Sequence, residues 1–295
     1  MTRLSLKKKI KKALYLLIGS LWWLFGLRFI LGRISRKARI LVYHKVSDTY
    51  PNHLVVSVSL FKKQIEYLRR RYRVISVEAL VEHIRQKKDF PPNSVAVTFD
   101  DGYKDNYTHA YPILKEFTIP ALIFLTSGYI DSDRILEHDR LFDPRFNPLL
   151  GTSEIVEMGR DVVTFGAHTV NHVDLKKTDL KGATREIVRS KGEIERILGK
   201  EVYYFSYPFG TRAEYGDEHK KIARDCGFKA AFTGITGTIG IDTDPFEIPR
   251  CPVEPDSFFL FKRLLDGSLD PIKIKDLFIF PTIKKGINRA LGLPY

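Results

Sequence analysis

Cysteine is nearly absent: Cys226 and Cys251 are the only two among 295 residues. Two cysteines do not make a disulfide framework, so the fold rests on a packed core, which a chain of this length can bury. Two buried thiols are the first expectation, and one bridge in an oxidising compartment the second. There is no Gly-x-Ser-x-Gly nucleophile elbow and no P-loop, which removes the hydrolases and nucleotide hydrolases built on them. Gly234, Gly237 and Gly240 are evenly spaced but do not form the dinucleotide fingerprint, and read as a mobile loop. No internal repeat, low-complexity tract or linker divides the body. Acid is missing from residues 1–39, which hold eleven bases (Arg3, Lys7, Lys8, Lys9, Lys11, Lys12, Arg28, Arg33, Arg36, Lys37, Arg39). Residues 262–295 carry seven bases against three acids, so the net charge of +13 belongs to the two ends. The body between them is slightly acidic, and a nucleic-acid partner is not expected.

Long apolar runs are also scarce, with one exception. Ala13 to Leu27 is almost wholly apolar, with Trp22 and Trp23 at its centre, and continues past Arg28 to Leu31. No small-x-small cleavage site follows, so it differs from a secretory leader. It reaches the roughly 20 residues of a spanning helix only by including Arg28. A short transmembrane anchor, an interfacial helix meeting anionic lipid and a helix packed on the protein's own surface all remain open. The C-terminal region, with Phe258, Phe259, Leu260, Phe261, Leu264, Leu265 and Leu277 to Phe280 among lysines and prolines, is either a second membrane-touching patch or a helix closing the fold. The expected division is a basic apolar membrane-associating segment at 1–37, an enzymatic body at 38–267 and a basic apolar tail at 268–295. Membrane lipids are expected partners, at the inner (cytoplasmic) membrane.

The body alternates short apolar strands with helical patterns. Strands are expected at 38–46, 72–77, 94–99, 121–126, 162–167, 203–207, 229–233 and 246–253. Helices are expected at 60–71, 78–87, 106–117, 179–198 and 217–226, the last two stopped by Gly199 and Gly227. Buried-type strands alternating with helices indicate an α/β fold with parallel strands, either a barrel or an open doubly wound sheet. In both, sites gather at the carboxyl ends of strands. Residues 131–161 read as a loop insert near the site. Within it His138 and Asp139 read as solvated, with a substrate-gripping role open. Asn106-Tyr107-Thr108 matches a glycosylation sequon, by chance as easily as by purpose.

Three strand ends carry chemistry. Thr98-Phe99-Asp100-Asp101-Gly102 places two adjacent carboxylates after a buried strand; a bound cation would offset their burial, and an ordinary Asp-Gly turn is the other reading. His168-Thr169-Val170-Asn171-His172 spaces two histidines four apart, on one face if the turn is helical, where they can share a metal; two structural histidines are the alternative. Two histidines and a carboxylate make a facial metal site with open positions. The second aspartate would then take a proton from water acidified by the metal towards a pKa of about 7. Phe205-Ser206-Tyr207-Pro208-Phe209-Gly210 is either a simple β-turn or a pocket loop aiming a backbone N–H at an oxyanion.

Taken in this order, the three motifs resemble those of the polysaccharide deacetylase (NodB-homology) family, carbohydrate esterase family four, over roughly Arg39 to Val253. The resemblance implies a distorted β/α barrel. It also implies Asp100 as catalytic base, Asp101, His168 and His172 as ligands of a divalent metal (zinc first, with cobalt, nickel or manganese as alternatives) and Phe209 as oxyanion donor, with Tyr207 and Pro208 beside it. Two departures stand out. Ser206 occupies the place of the arginine that steadies the base, and Arg250 on the last strand is the candidate substitute. The late leucine-x-histidine motif is missing. Leu41-Val42-Tyr43-His44 instead ends the first strand, which resembles a circularly permuted branch and makes His44 the candidate general acid; a core histidine is the other reading. The implied reaction is removal of an N-acetyl group from an amino sugar in a cell-surface polysaccharide or lipid-linked glycan. An O-acetyl esterase or an inactive glycan-binding barrel are the alternatives.

Overall fold

The computed structural model describes residues 37–49, 54–140 and 147–270. The expected membrane-associating segment, Lys37 apart, and the tail beyond residue 270 lie outside the described residues. Among those described, no helix is long and apolar enough to cross a membrane.

Seven parallel strands close into a barrel: β1 (Arg39–Tyr43), β5 (Ser94–Phe99), β6 (Ala121–Leu125), β7 (Val163–Ala167), β8 (Tyr204–Ser206), β9 (Ala230–Thr236) and β10 (Ile248–Pro252). Each pairs with the next, β10 returns to β1, and β1 pairs with β5 to shut the ring. Three two-residue strands complete the set. β4 (Arg73–Val74) adds to the start of β5, while β2 (Lys45–Val46) and β3 (Val55–Val56) form a separate pair. Strands covered on both faces are near-continuously apolar, and every residue of Ser-Val-Ala-Val-Thr-Phe in β5 and Ala-Leu-Ile-Phe-Leu in β6 is buried, the two β5 hydroxyls donating to Pro91 O and Leu41 O. The ring is distorted on one side. β7 and β8 share a single register pair, Ala167 with Phe205, and the β9–β10 register shifts between Ile248 and Arg250. Of the two architectures open from the sequence, the closed barrel is the one observed.

Alternation along the strands separates two cores. Ile40, Ala96, Leu122, Phe124, Tyr204, Phe232 and Ile248 fall into one buried cluster, together with Val77, Leu80, Val81 and Ile84 of the helix Val77–Arg85. Tyr43 and Phe99, one step out of phase, pack with Phe61 of the helix Val58–Arg71. That helix starts where the Ser57 side chain accepts from Leu60 N–H, and buries Phe61, Gln64, Ile65 and Leu68, the spacing of one helical face. The helix Leu180–Leu198 is capped by Asp179 and stopped by Gly199 at φ +64°.

Three sequence expectations change. The first strand breaks at His44 into β1 and β2. The strand expected at 72–77 shrinks to two residues, because Ser76 accepts from Ala79 N–H and starts the next helix. The helix expected at 106–117 opens with a π-helical turn, Asn106–Ala110, before Tyr111–Glu116. Asn106 is fully buried and donates through Nδ2 to His44 O at 2.8 Å, so it is a structural residue and no glycosylation site. No disulfide joins Cys226 and Cys251. The barrel unit runs Arg36–Asp256; the helix Phe258–Leu265, capped by Ser257, follows it.

Candidate active site

His44, Asp100, His168 and Tyr207 each follow directly on the carboxyl end of a barrel strand, and Arg250 lies within β10. Tyr43 pairs with Phe99, so His44 and Asp100 emerge side by side, and Asp100 N–H donates to Tyr43 O at 3.0 Å. Asp101 sits at φ +73° and Gly102 at φ +78°. Asp tolerates the left-handed region better than most residues, and a Cβ on Gly102 would stand 2.7 Å from Leu125 Cδ2. The sharp turn drives both carboxylates into a cavity of about 320 Å³, lined by His44, Asp100, Asp101, His138, His168, His172, Tyr207, Phe209 and Arg250 among others.

Asp100 is clamped. Arg250 donates from Nη1 to Oδ1 and from Nη2 to Oδ2, both at 2.7 Å. Its remaining N–H groups reach Thr233 O, Thr98 Oγ1 and Ser206 Oγ at 2.9, 3.4 and 2.8 Å, so all five donors are engaged in a fully buried guanidinium. Ser206, small where the resemblance expects arginine, takes part as an acceptor. Burial by itself would raise the Asp100 carboxyl; the Arg250 charge, then His168 and His44, outweigh it and hold Asp100 well below the ordinary carboxylate range.

Asp101, His168 and His172 converge. Asp101 Oδ1 lies 3.5 Å from His168 Nε2 and 3.3 Å from His172 Nε2. That oxygen is buried with no hydrogen-bond partner. His168 Nδ1 is 2.7 Å from Ser206 O; a carbonyl only accepts, so Nδ1 carries a hydrogen and, in the neutral ring, the lone pair is on Nε2. Burial, only partly offset by Asp101, brings His172 down to about 4, so it is neutral at pH 7. An orphaned carboxylate oxygen facing two imidazole nitrogens fits a divalent cation, and this is the one such group among the described residues.

The histidine pair is not on a helical turn, as its spacing suggested. Thr169 and His172 sit at φ +65° and +54°, and the loop bends so that the two rings stand 4.9 Å apart at 64°. Glu186, one helix away, holds this loop: its carboxylate accepts from Val170 N–H, Asn171 N–H and Asn171 Nδ2 at 2.9, 2.8 and 2.6 Å. Nothing in the sequence around Glu186 marks that role.

The Tyr207-Pro208-Phe209 loop divides its duties. Tyr207 lines the cavity, but its N–H is bound to Phe232 O at 3.0 Å and its hydroxyl to Phe246 O at 3.1 Å. Pro208 has no N–H and does not line the cavity. Neither can be an oxyanion donor. Phe209, at φ +60° and half exposed, has an N–H that meets no acceptor among the described residues. Gly210 follows at φ +71°, where a Cβ would collide with Gly234 N at 2.1 Å.

One further expectation is corrected. Asp139 is not solvated, being 1% exposed, while His138 is partly buried and forms part of the cavity wall. His44 has its pKa lowered, because burial outweighs the pull of Asp101 and Asp100.

The polysaccharide deacetylase family model matches residues 87–231. That span holds Asp100, Asp101, His168, His172 and Phe209, while His44 and Arg250 lie on either side of it. The Staphylococcus aureus poly-β-1,6-N-acetyl-D-glucosamine N-deacetylase is 26% identical over 244 residues, covering 79% of this chain and 80% of the relative. The structure of IcaB from Ammonifex degensii superposes with a TM-score of 0.68 at 25% identity, covering 79% of this chain and 97% of that one. The Streptococcus pyogenes deacetylase PplD, solved with acetate, gives a TM-score of 0.64 at 25% identity, covering 75% and 93%. A closed parallel barrel with the motif residues gathered in one cavity, together with these matches, supports a member of the polysaccharide deacetylase family.

Proposed function

We propose that this chain is a metal-dependent amide hydrolase that removes the N-acetyl group from an amino sugar of a cell-surface polysaccharide or lipid-linked glycan. The observation that carries the reading is one cavity holding both an ionised carboxylate clamped by Arg250 and an orphaned Asp101 oxygen facing two imidazole nitrogens. A divalent metal held by Asp101, His168 and His172, zinc first among the candidates, would supply a water acidified towards neutrality and positive charge for the carbonyl oxygen.

The remaining work falls to the chain. Asp100, kept ionised by Arg250, takes the proton of the attacking water as the new C–O bond forms. Phe209 N–H donates to the carbonyl oxygen as it becomes negative. His44, on the neighbouring strand end, gives a proton to the sugar nitrogen as the C–N bond breaks. Its depressed pKa makes the protonated form a strong acid, and negative charge building beside it favours that form. Acetate and a free amine are the products.

The printed activity of the S. aureus relative makes a β-1,6-linked N-acetylglucosamine polymer the first substrate to test. Association with the cytoplasmic membrane is part of the proposal, supported by the apolar Ala13–Leu27 stretch and the eleven bases of residues 1–39. Purified full-length protein, loaded with zinc, should be incubated separately with polymeric and lipid-linked N-acetylated glycans and the products weighed by mass spectrometry. Loss of acetyl groups with new amines on one class identifies the substrate; no mass change on either would make the barrel a binding protein.

A further inference from the structure

The cavity wall holds one histidine that the reaction above leaves unused. His138 lies on the 3₁₀ turn Glu137–Asp139, within the insert. We propose that His138 is a positioning residue for Asp101: its Nε2 end, anchored by a hydrogen bond to Tyr103, lies against the outer carboxylate oxygen and keeps the inner one turned towards His168 and His172. This rests on the metal reading above and extends it to the support behind one ligand.

The direction of the hydrogen bonds follows from the chemistry of the partners. Tyr103 Oη donates its only hydrogen to Asp139 Oδ2 at 2.6 Å, since a carboxylate only accepts. Towards His138 Nε2, 2.9 Å away, the phenol oxygen is therefore an acceptor and the imidazole the donor. The same nitrogen stands 3.6 Å from Asp101 Oδ2. That is beyond hydrogen-bond range but is a close ion–dipole contact to a carboxylate that is itself buried. The two oxygens of Asp101 thus have different neighbours: Oδ1 faces His168 and His172, and Oδ2 faces His138.

The support is built to be rigid. Tyr103 is fully buried, clusters with Tyr129 and Leu136, and bridges antiparallel to Leu149, which ties the insert to the turn carrying Asp101. The Lys45 ammonium lies 4.6 Å over the Tyr103 ring, and Lys45 also hydrogen-bonds Asn147 of the insert. Asp139 Oδ1 is buried without a partner, so this arrangement costs desolvation free energy. A surface loop with no duty towards the cavity has no need of it.

The test is zinc affinity of the full-length protein, measured by competition with a chromogenic chelator, alongside thermal unfolding of the metal-free forms. His138→Ala is expected to weaken zinc binding by about 10–100-fold, the usual effect of removing a group that orients a ligand, with metal-free unfolding unchanged. His138→Gln, whose amide N–H can reach the same region, should retain most of the affinity. Zinc bound as tightly by His138→Ala as by the wild type, or equal losses in both variants, would overturn the proposal and leave the metal reading standing. A wild-type protein that takes up no zinc would bring down the metal reading and this inference together.

Discussion

Asp100→Asn is expected to lower turnover on an N-acetylated glycan by about 10²–10⁴-fold while the protein still binds its metal. The amide cannot take a proton from water. It also presents an NH₂ group to a guanidinium that donates to both carboxylate oxygens in the wild type, so one donor faces another. Removing one partner of a buried ion pair costs about 3–5 kcal/mol, and asparagine, which keeps one acceptor, should cost less than that. Asp101, His168 and His172 are untouched, so metal content should not change. The pH dependence of stability should change with it. Arg250, His168 and His44 hold the folded-state pKa of Asp100 below its unfolded value. The stability it contributes is therefore full above about pH 4 and is lost as pH falls towards the depressed folded value. The Asn variant should lack that part of the acid limb. Near-normal turnover by a metal-loaded Asn variant would remove Asp100 from its role.

His44→Ala should cost about 10²–10⁴-fold on an amide substrate, with fold and metal binding intact. An amine leaves poorly as an anion, so the departing nitrogen needs a proton, and the late histidine that usually gives it is missing. His44 lines the cavity, its carbonyl is pinned by Asn106 Nδ2, and β1–β5 register brings it level with Asp100. The loss should shrink on an activated ester, whose leaving group needs no proton. Equal losses on amide and ester would mean that His44 only shapes the cavity.

Much of this architecture was legible because buried parallel strands have little choice of residue. The apolar run 94–99 could be placed to the residue and the one at 121–126 to within one, and each motif followed such a run directly. Arg250 could be nominated because the family resemblance implies an arginine beside the base, Ser206 stands in its place, and Arg250 follows on the last strand. What escaped notice was whatever depends on left-handed backbone or on contacts distant in sequence. Thr169 and His172 at positive φ turn an apparent helical spacing into a bent loop. Glu186 reaches that loop from a helix whose exposed face looks ordinary. His138 and Asp139 belong to a segment without periodicity, where neither burial nor partner can be read, so the buried Asp139 and its bond to Tyr103 passed for a solvent-exposed polar residue.

The central claim, that the cavity cleaves an amide with a metal, is tested most directly by stoichiometry. Zinc-loaded protein should be incubated with a β-1,6-linked N-acetylglucosamine oligomer, and acetate and free amine measured together, before and after chelation. Equal amounts of acetate and amine are expected, falling to background with chelator and returning with zinc. Acetate released without amine, or turnover indifferent to chelation, would contradict the account.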